Sequence, residues 1–379
     1  MNQRTILLIG LLCCALSARA QYQSIDRHAR RAPAALSEDI VGLAAYLTEP
    51  AANERQKARA IYTWVVGHLS YDRSARDEGR RINKSIRDIL QRRQGLCGDY
   101  ARLYQALCER AGLRCVIVDG YASPTLDERQ LPEEANHSWN AVFADGRWRL
   151  VDATWGEGRD ELLAAYTDSY FDTPPELFVL NHLPEQPMWQ LLPCPAIVSD
   201  YQQPLEVLRS ELAEKDSCMA YADSIAALLR LPEAERQLEK ARRAQRFHPT
   251  EANARHLGHA LIDYAARLDE ESERWPLPDS LAALARQQAM ALQAARQAEQ
   301  LTELHDWQQQ LLAQLHLNHA IALYQQSEEQ DKPLLESALR YAQEGQKRLQ
   351  ALPETDFYRN YALPQCDQLL ERLDHLLAK

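Results

Sequence analysis

The spacing of hydrophobic residues changes character along the chain. Apolar positions recur at helical spacing over residues 37–69 and 100–111, and Gly112 ends the second of these predicted helices. The short apolar run Cys115–Val118 predicts a buried strand. Two further strands are expected at Ser138–Phe143 and Trp148–Val151, because the Asp-Gly pair between them is typical of a tight hairpin turn. Helices followed by an antiparallel meander predict an α+β domain.

The strand signal disappears after about residue 200. Helical spacing then covers five runs separated by prolines, at 206–231, 233–246, 251–268, 280–326 and 334–352. Residues 173–195 are dense in proline and aromatic side chains, so we expect an irregular wrap between the two halves. We therefore predict a first domain at 21–199 and an all-helical domain at 200–379.

The helical half allows two architectures. A Pro-Thr pair at 249–250 opens one helix, and Ala241 and Ala244 lie on the helix before it. This junction is loosely similar to the junctions of tetratricopeptide repeats. No strict repeat period is visible, however, and a plain helical bundle fits the pattern nearly as well.

The first twenty residues are typical of a secretory signal peptide. Arg4 precedes an apolar run from Ile6 to Leu16, and Ala18-Arg19-Ala20 has the small-x-small pattern of a cleavage site. A buried core helix would show polar positions at helical spacing, and none falls between Ile6 and Leu16. We predict cleavage after Ala20 and an exported, periplasmic or secreted protein. No other stretch has the roughly 18 apolar residues that a membrane helix needs, so we expect no stable membrane insertion.

The composition excludes several classes of protein. Asp and Glu together number 54 against 43 Lys and Arg, for a formal net charge of −11, which argues against a general nucleic-acid binder. Hydrophobic residues make up 46% and charged residues 26%, values that exclude disordered and collagen-like chains. The basic cluster between positions 80 and 93 is expected to be a solvated face, with attraction of an acidic substrate as the alternative. It consists of Arg80, Arg81, Lys84, Arg87, Arg92 and Arg93.

The eight cysteines are too few for a disulfide scaffold. Two of them, Cys13 and Cys14, lie in the predicted leader. Export would permit disulfides, and Cys194 with Cys218 is the first pair to consider. Cys108 lies three turns along the helix from Cys97, so we expect it in the core.

Cys97, His137 and Asp152 form the candidate catalytic group. Cys97 opens a predicted helix, where free backbone N–H groups and the helix dipole favour the thiolate. His137 starts the first hairpin strand and Asp152 ends the second. Because these strands pair antiparallel, the imidazole and the carboxylate become neighbours in space. Histidine can then share the thiol proton, and aspartate can fix the histidine tautomer.

Three ordered motifs carry a resemblance to a known family. Gly95–Ala101 (GLCGDYA), Asn136–Asn140 (NHSWN) and Leu150–Trp155 (LVDATW) resemble the core motifs of the transglutaminase-like superfamily. The residues after the aspartate, Tyr170–Asp172 and His182–Pro184, are similar to those of its kyphoscoliosis-peptidase group. The resemblance covers about Glu54 to Leu192.

The resemblance implies a papain-like fold and a Cys-His-Asp enzyme that acts on amide bonds. Cys97 would be the nucleophile, His137 the general base and acid, and Asp152 the orienting group. A thioester intermediate would be resolved by water or by an amine, and the substrate would be a protein or peptide. Trp139 is the candidate substrate-binding residue, since tryptophans near the motifs could line a groove; Trp64 and Trp155 are expected in the core.

Other readings of the same residues stay open. The fold could persist as a catalytically silent peptide-binding or scaffold domain, with the helical half as a protein-interaction surface. His182 with the three catalytic candidates, and the pairs His256/His259 and His316/His319, could be imagined as metal ligands. Their spacing matches no established zinc motif, so we predict no metal and no cofactor.

Overall fold

The computed structural model of the chain describes residues 22–80, 84–126, 129, 131–157, 170–273, 281–327 and 331–379. The predicted signal peptide at 1–20 lies outside these residues. The chain divides into two units, the first ending at Ile225 and the second beginning at Ala226. The first is α+β and the second is helical, so the predicted fold class is confirmed.

A five-stranded antiparallel sheet forms the centre of the first unit. A short parallel pair precedes it in the chain, β1 (Ser70–Tyr71) with β2 (Gln94–Gly95). The five strands are β3 (Arg114–Ala122), β4 (His137–Ala144), β5 (Arg147–Val151), β6 (Phe171–Thr173) and β7 (His182–Pro184). Their spatial order is β6-β5-β4-β3-β7. Asn140 pairs with Val151, which leaves the start of β4 beside the end of β5.

The predicted hairpin is confirmed. Asp145 and Gly146 join β4 to β5, and both have positive φ, 49° and 81°. A two-residue turn with both residues in the left-handed region matches the twist of the flanking strands, and Asp-Gly is a favoured sequence for it. The turn fixes the register and therefore the position of every later residue of β5.

Six helices precede the five-stranded sheet in the chain. They are α1 (residues 22–30), α2 (Ile40–Thr48), α3 (Glu54–His68), α4 (Arg73–Asp77), α5 (Ile86–Arg92) and α6 (Cys97–Arg110). Helix α6 packs against β3 and β4. Its residues Leu103, Tyr104, Leu107 and Cys108 are fully buried in the main core, as expected for Cys108. This burial anchors α6, so that its first residue, Cys97, is held against the sheet.

The segment after Asp172 is more regular than predicted. Strand β6 ends at Thr173, and β7 lies within this segment and pairs with β3 from Gly120 to Ala122. Proline removes one ladder hydrogen bond, but Pro184 is tolerated because β7 is the edge strand. Gly120 allows the close approach, since a Cβ there would lie 2.4 Å from the Leu183 carbonyl oxygen.

The compact unit that holds the sheet extends beyond residue 199, where the sequence predicts a domain boundary. The first unit continues to Ile225 and includes helices Val198–Tyr201 and Leu205–Glu214. Arg129, which is 8% exposed, donates hydrogen bonds to the backbone carbonyls of Tyr201 and Gln203. The amides of Cys218 and Met219 donate to the Pro193 carbonyl. These bonds tie residues 193–219 to the first unit.

Cys194 and Cys218 form a disulfide, the pair that the sequence placed first, with 24 residues of separation. Closing a loop of this length is worth about 3 kcal/mol by the chain-entropy model. We expect the double substitution C194S/C218S to lower the melting temperature of the full chain, measured by calorimetry. Reductant should lower the wild-type value similarly and leave the variant unchanged. A variant as stable as the wild type would contradict this prediction.

The second unit is a series of long helices. They span Glu233–Phe247, Glu251–Glu273, Leu281–Glu299, Asp306–Gln326, Lys332–Ala351 and Phe357–Leu377, after Tyr221–Arg230 at the boundary. Each packs mainly on its neighbour in sequence, an arrangement that both a helical repeat and a bundle have. The tetratricopeptide likeness and the role in binding a protein partner stay predictions. None of the described helices has the length and apolar character needed to cross a bilayer.

The predicted run 280–326 is two helices. The chain turns between Glu299 and Asp306, and the amide of His305 donates to the Gln308 side chain at 2.9 Å. Such a side-chain acceptor satisfies an N–H group at the start of a helix. Helical spacing alone did not reveal this cap.

Candidate functional site

Cys97 is the first residue of α6. Ahead of it, the Leu96 amide donates to the Asp99 carboxylate at 3.0 Å, which caps the helix start. Gly95 is needed here, because a Cβ at this position would lie 2.5 Å from the Asp99 Cβ. The turn therefore holds the thiol at the helix terminus, where the positive end of the helix dipole favours a thiolate.

Lys84 forms ion pairs with two carboxylates at this turn. Its side chain is only 9% exposed, and its Nζ lies 3.3 Å from Asp72 and 3.4 Å from Asp99. The sequence assigned Lys84 to a solvated basic face, and for this residue the assignment was wrong. Two carboxylates in a poorly hydrated site require a cation, so the lysine turns inward to pair with them.

His137 and Asp152 meet across the β4–β5 pair. His137 is the first residue of β4, and Asp152 follows the last residue of β5. His137 Nε2 lies 2.7 Å from Asp152 Oδ2. The imidazole is 7% exposed and the carboxylate is fully buried. The antiparallel pairing thus places the two side chains as the sequence argument expected.

The thiol of Cys97 interacts with His137, so that Cys97, His137 and Asp152 form a row of three side chains. It forms hydrogen bonds with the His137 side chain and the Ser138 backbone. Burial raises the pKa of the Cys97 thiol, but the hydrogen bond and positive charge of His137 outweigh it, so that the net pKa is lowered. Burial alone would lower the pKa of His137, yet the charges and hydrogen bonds of Asp152 and Cys97 raise it to about 10. These two shifts favour the thiolate of Cys97 and the imidazolium of His137 relative to a free cysteine and a free histidine.

Asp152 is the negative end of this row. Burial raises the pKa of its carboxyl, but the charge and hydrogen bonds of His137 and His182 lower it far more. Its Oδ1 accepts hydrogen bonds from the Thr154 amide at 2.8 Å and the Trp155 amide at 3.3 Å. Asp152 is consequently ionised and fully hydrogen-bonded although no water reaches it.

His182 is a site residue that the sequence argument treated only as a weak metal candidate. Its Nε2 lies 3.1 Å from Asp152 Oδ2, and its ring is fully buried. Burial lowers the pKa of His182 to about 4, against the opposing hydrogen bond and charge of Asp152. The residue is therefore neutral at physiological pH. The available signal was a lone histidine in a segment that matched the family motif.

Trp139 does not line a groove. It is 1% exposed, and its ring packs against His182, Phe178 and His137 at centroid distances of 5.1, 5.8 and 6.1 Å. These side chains enclose the Trp139 ring, so the predicted substrate contact is replaced by a core role. Trp155 is half-buried, and its ring centroid lies 5.3 Å from that of His137.

His137, Asp152 and His182 also form the cluster of described residues whose possible metal-ligand atoms lie within 4.8 Å of one another. Hydrogen bonds of 2.7 and 3.1 Å already link these atoms in pairs. Imidazole N–H groups directed at a carboxylate account for such distances. We therefore treat the cluster as a hydrogen-bonded network.

Of the two histidine pairs in the helical unit, His316/His319 lies in its core, whereas His256 and His259 are exposed. His316 and His319 are 1% and 6% exposed, and His319 packs edge-on against Tyr341 at 4.5 Å. Burial, together with the nearby charges of Arg348 and Arg296, lowers the pKa of His316 to about 3. These contacts fit packing histidines, the interpretation that the sequence favoured.

Comparison with known proteins shows which proteins this chain resembles. Residues 41–153 match the family model of the transglutaminase-like superfamily. Kyphoscoliosis peptidase from Homo sapiens is 31% identical over 211 residues, covering 54% of this chain and 32% of the human protein. The Mus musculus protein of the same name is 33% identical over 185 residues, covering 47% and 28%.

A third relative has a name of another kind. The Lim and transglutaminase domain protein ltd-1 of Caenorhabditis elegans is 28% identical over 210 residues, covering 48% of this chain and 27% of the worm protein. The chain thus spans about a third or less of the length of these curated relatives.

Proposed function

The chain carries a domain of the transglutaminase-like superfamily, and from this membership and the site geometry we propose that it is a cysteine enzyme that hydrolyses amide bonds in a protein or peptide. One observation carries the proposal. Cys97, His137 and Asp152 are joined by hydrogen bonds in that order, with the pKa of the thiol lowered and that of the imidazole raised.

The row of side chains supports a complete reaction cycle. The Cys97 thiolate attacks the amide carbon, and the C–N bond breaks as the His137 imidazolium gives its proton to the leaving nitrogen. A thioester remains on Cys97. Water then attacks the thioester carbon, His137 takes the water proton, and the thiolate leaves. The Cys97 backbone N–H, free at the helix start, is one candidate donor to the oxyanion.

An amine in place of water would give acyl transfer. The word peptidase in the name of the human and mouse relatives supports hydrolysis, whereas the name of the worm relative states only its domains. A catalytically silent scaffold is the second candidate, because a fold can outlast its activity. The paired pKa shifts favour the enzyme, since a binding-only site has no need of an activated thiolate.

We also propose that the protein acts outside the cytoplasm. Two features support this location. The first twenty residues have a signal-peptide pattern, and Cys194 pairs with Cys218 in a disulfide, a bond found mostly in oxidising compartments. Cell fractionation of the tagged full chain tests the location, and a mature mass that retains residues 1–20 would contradict it.

Thiol alkylation tests the nucleophile without a known substrate. The free cysteines of the described chain are Cys97, Cys108, Cys115 and Cys366, of which only Cys97 is partly exposed. We expect iodoacetamide to modify Cys97 at pH 6–7 at least about 10-fold faster than a free cysteine of pKa near 8.5. Rates are measured by peptide mass spectrometry.

The pH dependence of Cys97 alkylation follows from the pKa shifts of Cys97 and His137. The pKa of Cys97 is lowered from its usual 9 and that of His137 is raised to about 10. The thiolate of Cys97 should therefore persist to lower pH than that of a free cysteine and disappear when pH falls through the lowered thiol pKa. His137→Ala should move the profile upward by more than one pH unit. A wild-type profile that matches free cysteine would refute the proposed nucleophile.

A further inference from the structure

The carboxylate of Asp152 has more partners than a catalytic triad requires. Its Oδ1 accepts two backbone amides, from Thr154 and Trp155. Its Oδ2 faces two imidazoles, His137 at 2.7 Å and His182 at 3.1 Å. All four groups lie around a fully buried charge.

Elementary hydrogen-bond chemistry fixes the direction of these contacts. An ionised carboxylate only accepts, so both Nε2 atoms facing Asp152 must carry a proton. In His137, this leaves Nδ1 as the atom that pairs with Cys97. A neutral His137 in this tautomer presents a lone pair to the thiol, as a general base requires.

The other ring nitrogen of His182, Nδ1, needs a hydrogen-bond donor opposite it. Its Nδ1 lies 2.7 Å from Asn181 Oδ1. A neutral ring that donates from Nε2 has a lone pair at Nδ1, which would face the oxygen lone pairs. Since the pKa of His182 is lowered to about 4, protonation does not resolve this conflict at neutral pH.

Rotation of the Asn181 amide resolves it. The two ends of an amide are assigned from their hydrogen-bond partners. With its ends exchanged, Asn181 donates from Nδ2 to His182 Nδ1, and Oδ1 accepts from the Tyr170 hydroxyl, which lies 3.0 Å from that end of the amide. Tyrosine can donate or accept, so every atom in the row is satisfied.

The surroundings keep this row dry. The His182 ring is enclosed by Phe178, Trp155 and Trp139, at centroid distances of 4.2, 4.5 and 5.1 Å. Water therefore cannot replace the imidazole as the fourth donor to Asp152. In a dry site, an unfilled acceptor on a buried charge is costly.

We propose that His182 is a positioning residue that, oriented by Asn181 and Tyr170, donates from Nε2 to Asp152 and so holds the carboxylate that sets the tautomer of His137. The inference rests on the proposed function of Cys97 as nucleophile. His182 acts through Asp152 and does not touch the substrate.

Two substitutions of His182 distinguish the positioning role from a role in core packing. His182→Leu removes the donor, and we expect alkylation of Cys97 at pH 6.5 to slow by about 10- to 100-fold, the usual cost of losing such an outer partner. The pH profile should also shift upward. His182→Gln keeps an N–H at similar reach and should stay within about threefold of the wild type.

Controls distinguish the possible failures. Cys108 should remain unmodified in both variants, since its labelling would report an opened core. If wild-type Cys97 reacts slowly, the proposed function is refuted together with this inference. If wild-type Cys97 reacts fast and His182→Leu matches it in rate and pH profile, the positioning role is refuted.

The tautomer itself is measurable in the unmodified full chain by ¹⁵N–¹H spectroscopy of labelled histidine rings. We expect a neutral, Nε2-protonated His182 at pH 7, assigned by the loss of its signals in His182→Gln. A charged His182, or one protonated at Nδ1 alone, would overturn the proposal even if His182→Leu does not fold.

Discussion

Cys97→Ala is expected to abolish hydrolysis of amide substrates, lowering the turnover rate by at least about 10³-fold. The thiolate is the group that forms the acyl bond, and Cys97 combines a lowered thiol pKa with an imidazole partner, His137. The measurement is ammonia or peptide release from a glutamine-containing peptide library. Acid-quenched wild type should also carry an acyl adduct on Cys97, detected by mass.

Cys108→Ala is the matched control. Cys108 lies on the same helix and is fully buried, so its loss should lower stability and leave turnover unchanged. Activity retained by Cys97→Ala would place the chemistry elsewhere. An absence of activity and adduct in the wild type, with selective peptide binding, would favour the scaffold alternative. Added primary amine that suppresses hydrolysis and appears in the product would instead indicate acyl transfer.

The parts of the site that depend on local sequence signals were predictable. The Asp-Gly turn dictates the hairpin register, and the register alone brings His137 beside Asp152. A glycine-bounded turn before helical spacing placed Cys97 at a helix start. Two local signals and one rule of antiparallel pairing therefore account for the position of Cys97 at a helix start and for the contact between His137 and Asp152.

The parts that depend on long-range contacts were not predictable. His182 reaches Asp152 only because a three-residue strand pairs with β3, and a proline-dense stretch gives no alternation from which such a strand is recognised. Arg129 holds the carbonyls of Tyr201 and Gln203, more than 70 residues away, so the end of the first unit depends on contacts that periodicity does not contain. Trp139 lies near the motif in sequence but inside the core in space.

Asp152→Asn should reduce turnover by about 10³- to 10⁴-fold, a loss comparable with that of the matching change in serine-protease triads. An asparagine keeps the shape but has one donor end. If its oxygen stays with the Thr154 and Trp155 amides, its Nδ2 faces the two Nε2 atoms of His137 and His182. Both rings must then protonate at Nδ1, and His137 presents an N–H to Cys97 where a lone pair is needed.

The opposite amide orientation is no better, since it directs Nδ2 at two backbone N–H groups. Loss of the Asp152 charge also removes the main group that raises the pKa of His137, so the imidazolium should deprotonate at lower pH. Asp119→Asn is the control, because the Asp119 carboxylate accepts a hydrogen bond from the Ser138 hydroxyl at 2.6 Å and an amide oxygen can do the same. Turnover, alkylation of Cys97 against pH, and melting temperature are compared across the three proteins. Since both asparagine variants keep the volume of the side chain, a folded Asp152→Asn with more than about a tenth of wild-type turnover would mean that tautomer control is not what the carboxylate supplies.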